Sequence, residues 1–481
     1  MRLKVVKGQL VMAKTLRIAV LSVVLASSAI AMKAAAAPPL ESLSVSASSL
    51  GQRALDDTAA FAFVESLTTE IGQRLAGTEA HKRAVAWAEA RLRQAGFANV
   101  HSEPFTFPAW IRGAETAEVI GPVPQHLAIT ALGGSVATDA NGIEAEIALF
   151  RTYADLLAAP PGSLAGKIAV VTQHMVRAQD GGGYGAANPI RRSGPSEAAK
   201  RGAVAYLLRS LGTDSHRLPH TGALNYENGT PRIPAAALAA PDAEQLERLT
   251  ALGPVRVRLV LTPTVHENAP SWNVVGEIKG ADRPEEIVLI GGHLDSWDLG
   301  TGATDDGAGM AITFGAARLI AGLPQRPSRT IRIVLFGAEE MDFSGAAYAK
   351  AHEEELKNIV IASEADFGAR SVYSVQLPPG AAGSDFGRTL GRIIAPLGAN
   401  IDRRPALGGG EDVREMQAAG VPVASLRQDG LDYFDIHHTA DDTLDKIDPK
   451  QLNQTVAIWS AFVYLAAASD VDFRSLAATA K

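Results

Sequence analysis

An apolar run from Ile287 to Ile290 leads directly into Gly291-Gly292-His293-Leu294-Asp295-Ser296-Trp297-Asp298. In extended chain His293 and Asp295 point the same way, so the carboxylate can hold the imidazole while its other nitrogen is left for a metal. Three further acidic groups follow: Asp305-Asp306 between small residues, Glu339-Glu340 after the run Ile331 to Phe336, and Glu364-Ala365-Asp366 after Ile359 to Ser363. A late segment adds His437-His438-Thr439-Ala440-Asp441-Asp442-Thr443. Each piece alone has an ordinary reading, such as a helix cap for the Asp pair or a solvated loop for the double His. Brought together, so many carboxylates would repel one another and some would stay protonated. Two divalent cations bridged by one carboxylate remove that conflict and activate a shared water. Glu339 and Glu340 face different directions, so one can ligate a metal while its neighbour turns to the water. Imidazole and carboxylate donors suit zinc, with cobalt or manganese as substitutes. The chain has no cysteine, which excludes disulfides, thiolate metal sites and a Cys nucleophile.

These groups meet only if the strands that precede them end at one edge of one sheet. From Trp272 onward strands and helices alternate: strands Ile287 to Ile290, Ile331 to Phe336 and Ile359 to Ser363, with helices through Met310 to Ala321, around Tyr348 and around Leu390. The pattern predicts an α/β fold, a mostly parallel sheet flanked by helices, with ligands at the carboxyl ends of its strands. Phe61, Val64, Leu67 and Ile71 recur at helical spacing after a Ser-rich linker, Glu41 to Ser49. A second helix is expected from Thr78 to Gln94. A last helix, Pro449 to Ala468, presents Val456, Trp459, Phe462 and Val463 on one stripe. Between Trp110 and Pro263 the pattern changes to short β-like runs broken by Gly and Pro, among them Lys167 to Val171 and Ala203 to Leu208. The domain reading is therefore 38–110 and 267–475 for the catalytic part, with 111–266 as an inserted β-rich domain.

The length of 481 residues allows such a division, and 47% hydrophobic with 20% charged residues is a globular composition. A net charge of −7 without a basic stripe argues against a nucleic-acid partner. Residues 1–37 read as a signal peptide: Arg2, Lys4, Lys7, Lys14 and Arg17, an apolar run Ile18 to Ala31, then small residues with cleavage sites after Ala31 or Ala37. Met12 would serve equally as the start. That run is short for a membrane span, so a secreted or periplasmic protein without a stable membrane anchor is expected.

The five motifs, in this order, resemble the co-catalytic zinc exopeptidases related to aminopeptidase Y and glutamate carboxypeptidase. Ser296-Trp297-Asp298 and Gly420-Val421-Pro422 before His438 favour a carboxypeptidase branch of that family, as does the spacing 305 − 293 = 12. The resemblance spans about Leu55 to Ala468. It implies that Asp305 bridges two zinc ions, that His293 and Asp366 complete one site and Glu340 and His438 the other, and that Glu339 is the general base while Asp295 orients His293. His438 is preferred to His437 because it directly precedes the Thr of His-Thr-X-X-Asp-Thr. The insert resembles a protease-associated domain through Gly166-Lys167-Ile168, Ala198 to Ala203 and Ile233 to Ala237. The implied activity is hydrolysis of short unblocked peptides, with Asp298 a candidate for the substrate α-ammonium and Arg414 or Arg427 for its carboxylate. A homodimer is compatible with it. An aminopeptidase or amidohydrolase on the same metals, or an inactive binding protein of the same fold, are the rival readings.

Overall fold

The computed structural model describes residues 39–479 apart from Pro122; the signal-peptide reading falls outside them. The fold is mixed α/β. Its central sheet has five strands in the order Ala98–Ile111, Thr264–Ile278, Arg329–Phe336, Arg283–His293, Ile359–Glu364. The last three are mutually parallel, as the alternation predicts. The strand Thr264–Ile278 is antiparallel to both its neighbours, so the expected mostly parallel sheet is paired in parallel only in the half that carries the motifs. The reason is connection length: residues 279–282 are too few to form a crossover, so the chain reverses direction there.

Strands covered on both faces read as continuous apolar runs, and every residue of Arg329–Phe336 is buried. Helices Leu40–Leu55, Ala308–Ala321 and Pro449–Ala468 share one core with the sheet, while Tyr348 and Met416 belong to the core on the other side. Val456, Trp459, Phe462 and Val463 are all buried, as their stripe requires. The Ser-rich linker is instead the helix Leu40–Leu55. Leu43, Ala47, Leu50 and Ala54 are buried at helical spacing and the serines lie between them, so the apolar stripe outweighs the poor helix propensity of Ser.

Ile111 pairs with Thr264, so the chain leaves the central sheet and returns at one point. Residues in between build an eight-stranded sheet of their own, from Glu115–Ile120 through Arg256–Leu261 and Ile143–Phe150 to the parallel strands Ile168–Val171, Ala205–Arg209 and Ala235–Leu238. Beyond the β-rich reading, it also carries helices Gly182–Arg192 and Ala240–Thr250. The Gly181-Gly182-Gly183 loop is the start of the first: Gly181 has φ 71°, and a Cβ on Gly183 would lie 1.7 Å from the Val176 carbonyl oxygen. Among the described residues no single helix is long and apolar enough to cross a membrane.

Candidate metal centre

Parallel register is what brings the motifs together. His293 lies opposite Phe336, and Gly291 opposite Glu364, so the three strands end within two residues of one another at one edge and release Asp295, Glu339 and Asp366 there. Gly292 allows the next layer to approach, because a Cβ there would meet Asp306 Oδ2 at 2.5 Å. Asp306 accepts the backbone N–H of His293 through Oδ2 and of Gly309 through Oδ1, both at 2.9 Å. It thus ties the end of the strand to the first turn of the helix beginning at Ala308, and with His293 and Asp366 it also forms a group able to hold an ion. Asp305, joined to it by a cis peptide bond, faces the other way. Its Oδ1 is 3.0 Å from His293 Nε2 and its Oδ2 is 3.1 Å from His438 Nε2.

Around this carboxylate, Glu340 Oε2 stands 3.2 Å from His438 Nε2, and Asp366 Oδ1 3.6 Å from His293 Nε2. Glu339 Oε2 is 3.9 Å from His293 Nε2. Asp295 Oδ1 lies 3.5 Å from His293 Nδ1. The structure thereby brings together all seven residues expected to hold or serve the metals. His437 approaches Asp305 Oδ2 only at 3.5 Å and stacks on His438 with ring centroids 3.5 Å apart. His438 touches both Asp305 and Glu340, which favours it over His437. The motif's last Asp, Asp442, accepts the backbone N–H of Thr304 at 2.7 Å and of Asp305 at 3.2 Å, which locks the turn that presents Asp305.

A metal fits these donors. Asp305 Oδ2 is buried and has no aligned hydrogen bond, although two imidazole nitrogens lie near it. His293, Asp305 and Glu340 each offer a ligand atom within one ion-sized space, as do Asp305, His437 and His438. Without a cation the charges distort one another. Burial, helped by the charges of Asp366, Glu340 and Asp412 and opposed by His293, holds the Glu339 carboxyl well above the usual range. Burial and Asp305 push Glu340 up to about 7 despite His438. Burial disfavours charged His438, yet Glu340 and Asp305 raise it to about 10. His293 is likewise raised, by Asp295, Asp305 and Asp366, against its burial.

The candidate substrate residues fare differently. Asp298 is not in the cleft: it forms a bidentate pair with Arg112, whose Nε is 2.9 Å from Oδ2 and Nη2 2.9 Å from Oδ1. Arg112 also donates to Glu115, Thr130 and Thr221, so Asp298 anchors the metal loop to the inserted segment. Arg414 is exposed, paired with Glu411, and does not line the cleft. Arg427 lies in an adjoining hollow with Asp366 and Phe367, already paired with Asp180 at 3.3 Å. An exposed helix-end Arg and a charge with a local partner were indistinguishable from binding groups in sequence.

Sequence reasoning missed the groups that the insert contributes. Tyr184, Asn188, Arg191 and Arg192 line the cleft from the helix Gly182–Arg192; their helical spacing was the available signal. The Thr221 N–H donates to the His438 carbonyl at 3.0 Å, and the Thr221 carbonyl lies 3.3 Å from His438 Nδ1. A carbonyl only accepts, so Nδ1 carries the hydrogen in that bond and Nε2 is left toward Asp305 and Glu340. Arg74, fully buried, donates to the carbonyls of Leu294, Thr301 and Gly302 and fixes the loop after His293.

A parallel sheet edge that concentrates imidazoles and carboxylates around one cleft is suited to hold divalent cations, and the chain's relatives are metallopeptidases, hydrolases of peptide bonds. Residues 273–463 match the model of peptidase family M28. Over 407 residues the chain is 38% identical to carboxypeptidase Q of Bos taurus, covering 83% of this chain and 84% of that protein. It superposes with a TM-score of 0.88 on the crystal structure of a peptidase M28 precursor from Shewanella amazonensis, 46% identical, over 90% of this chain and 98% of the other. A zinc aminopeptidase from Bacillus subtilis shares the fold, with a TM-score of 0.63 at 21% identity over 85% of this chain and 94% of the other. The chain belongs to peptidase family M28, and within it aligns with carboxypeptidase Q over most of its length.

Proposed function

We propose that the chain is an exported zinc exopeptidase that hydrolyses short unblocked peptides, dipeptides among them. His293 and Asp366 would complete one zinc site and Glu340 and His438 the other, with Asp305 shared; cobalt or manganese would satisfy the same donors. When bound, the cations supply Lewis acidity at the scissile carbonyl and acidify the attacking water. The observation that carries this reading is Asp305, whose two oxygens face different imidazoles at 3.0 and 3.1 Å, as a bridging carboxylate requires.

Glu339 is the general base in this reading. It is partly open to the cleft, with 14% of its side chain exposed, which places its carboxylate to take a proton from water and return it to the leaving amine. Asp295 holds His293 from the far side and Thr221 holds His438. The segment 111–266 acts as an inserted protease-associated-like module, and a wall beside the cleft would exclude long or folded chains. The relationship to carboxypeptidase Q supports the substrate class, and the basic, then apolar, then small-residue order of 1–37 supports export, with a mature N-terminus between Met32 and Leu40.

The experiment is a panel of a free dipeptide, its N-acetyl form, an amino-acid anilide and a long peptide, with metal content measured on the same sample. The free dipeptide is expected to be cleaved fastest and zinc to be present at about two equivalents per chain. Faster anilide cleavage would move the chain to the aminopeptidases, and internal cutting of the long peptide would overturn the exopeptidase reading.

A further inference from the structure

The two halves of the candidate metal centre are held by different parts of the chain. His293 finds its hydrogen-bond partners in Asp295, Asp305 and Asp306, and Asp366 stands just beyond the strand Ile359–Glu364. Glu340 and His438 lean on the inserted segment instead. The stretch 429–438, which ends in His438, hangs from that segment. Gly430 N–H donates to the Gln179 carbonyl at 2.9 Å, and Thr213 N–H to the Phe434 carbonyl at 3.2 Å. Asp435 Oδ1 accepts from Thr213 Oγ1 and from Arg177 Nη2, each at 2.7 Å. Thr221 then meets His438 itself, at its carbonyl and at Nδ1.

Glu340 is braced through Trp297, whose backbone N–H donates to Oε1 at 3.2 Å. The Trp297 ring does not rest on the central sheet. It is buried in the core of the inserted segment, with Ile129, Ile147 and Leu207, and a Cβ on Gly133 would lie 2.1 Å from its outermost carbon, Cη2. Only glycine at 133 leaves the ring its seat. Trp297 Nε1 has no hydrogen-bond partner, so the ring is held by shape alone, and a single methyl group is enough to disturb it.

We propose that the inserted segment builds one of the two metal positions: Trp297, seated beside Gly133, aims Glu340, and Thr221 aims His438, while the position completed by His293 and Asp366 forms without them. Trp297 and Thr221 are positioning residues in this account. It rests on the ligand assignment of the exopeptidase reading and adds that the insert is a structural part of the metal centre as well as a wall beside the cleft. Partners that orient ligands are worth about 10–10²-fold in metal affinity. Coupling of this kind is reciprocal, so a cation that binds better to the seated insert must also hold the insert in its seat.

The test is zinc titration against a chromophoric chelator on wild type, on Gly133→Ala, whose methyl displaces the Trp297 ring, and on Gly133→Ala with Trp297→Phe, whose shorter ring clears that methyl. Thermal unfolding is recorded for each protein. Wild type is expected to bind about two zinc equivalents. In Gly133→Ala one should keep its wild-type affinity while the other weakens by about 10–10²-fold, and the double variant should recover most of the loss. Equal weakening of both, no change in either, or no recovery in the double variant overturns the proposal. Should Gly133→Ala fail to fold, hydrogen exchange on wild type alone decides: zinc should slow exchange of the Thr213 and Thr221 amides, which donate to Phe434 and His438, by about tenfold or more relative to the chelated protein. Exchange at both amides unchanged by zinc overturns the proposal. A wild type that takes up fewer than two zinc ions sinks the dinuclear reading and the proposal with it, whereas two ions in wild type that weaken equally in Gly133→Ala sink the proposal alone.

Discussion

Asp295 Oδ1 accepts the backbone N–H of Glu339 at 3.0 Å while lying 3.5 Å from His293 Nδ1. Asp295 is therefore tied to both sides of the site: its buried carboxylate holds the backbone of Glu339, and its carbonyl oxygen lies 3.1 Å from His293 Nδ1, so the imidazole and the Glu339 loop are not independently adjustable. Asp295→Asn, whose amide can present its N–H₂ to either partner, should lower both metal affinity and kcat by roughly 10–10²-fold, the range for outer-shell metal partners. Zinc titration and steady-state kinetics on one preparation would show it; a change in kcat with unaltered metal affinity would argue that Asp295 serves Glu339 alone.

Glu339 and Glu340 should separate cleanly. Glu339→Gln is expected to keep its metal while kcat falls by roughly 10²–10⁴-fold, as for a positioned acid–base group. Glu340→Gln, which removes the carboxylate 3.2 Å from His438 Nε2, should lose metal first. Exchanged phenotypes would reverse the two roles.

Metal uptake should expel protons. His438 at about 10 and Glu340 at about 7, with His293 raised as well, hold protons at neutral pH in the metal-free protein, and all must be deprotonated to ligate. Calorimetric zinc titration in buffers of different ionisation enthalpy should give release of about two protons near pH 7, with affinity falling as the pH drops. Proton-neutral uptake would contradict these shifts.

Arg112 and Asp298 are predicted to be structural. Arg112→Ala strands Asp298 and Glu115, each about four-fifths buried, and should reduce unfolding free energy by about 2–3 kcal/mol. Asp298→Asn should lower stability and leave the preference for a free over an N-acetylated dipeptide intact. Loss of that preference would restore Asp298 as a substrate contact.

His352 makes a prediction about pH far from the metals. Its bonds to Glu103 and Glu355 raise it to about 9, against its burial, while Glu355 is lowered to about 2 and Glu103 is also lowered. The folded state therefore holds this proton more tightly than the unfolded chain does. Its stabilisation is complete below about pH 6.5, the unfolded value for His, and is lost as the pH rises through about 9. The difference in Tm between wild type and His352→Gln should shrink by roughly 2 °C from pH 6 to pH 9.5. A constant difference would mean that His352 is not protonated in the fold.

Part of the local chemistry was legible in the sequence because His293, Glu339, Glu340 and Asp366 follow apolar strands, and strand ends have a recognisable signature. Asp305 opens a helix and His438 lies in a late loop, so both were singled out by the resemblance of their motifs rather than by a strand end. The parallel half of the sheet and the last helix follow from the same periodicities. What the sequence left open is whatever depends on partners distant in the chain. Asp298 carries the same charge whether it faces a substrate or Arg112, 186 positions away, and only tertiary contact decides. Arg191 and Arg192 are adjacent and chemically identical in sequence. Folding gives one to Asp342 and leaves the other buried without a counter-charge. Residue type likewise cannot tell the consecutive imidazoles His437 and His438 apart; only the fold puts His438 nearer to Asp305, at 3.1 against 3.5 Å. The reversed direction of the strand Thr264–Ile278 depended on a connection too short to cross over, 279–282, which periodicity does not encode. Short-range pattern fixes what each segment can be, and long-range packing fixes which charge meets which.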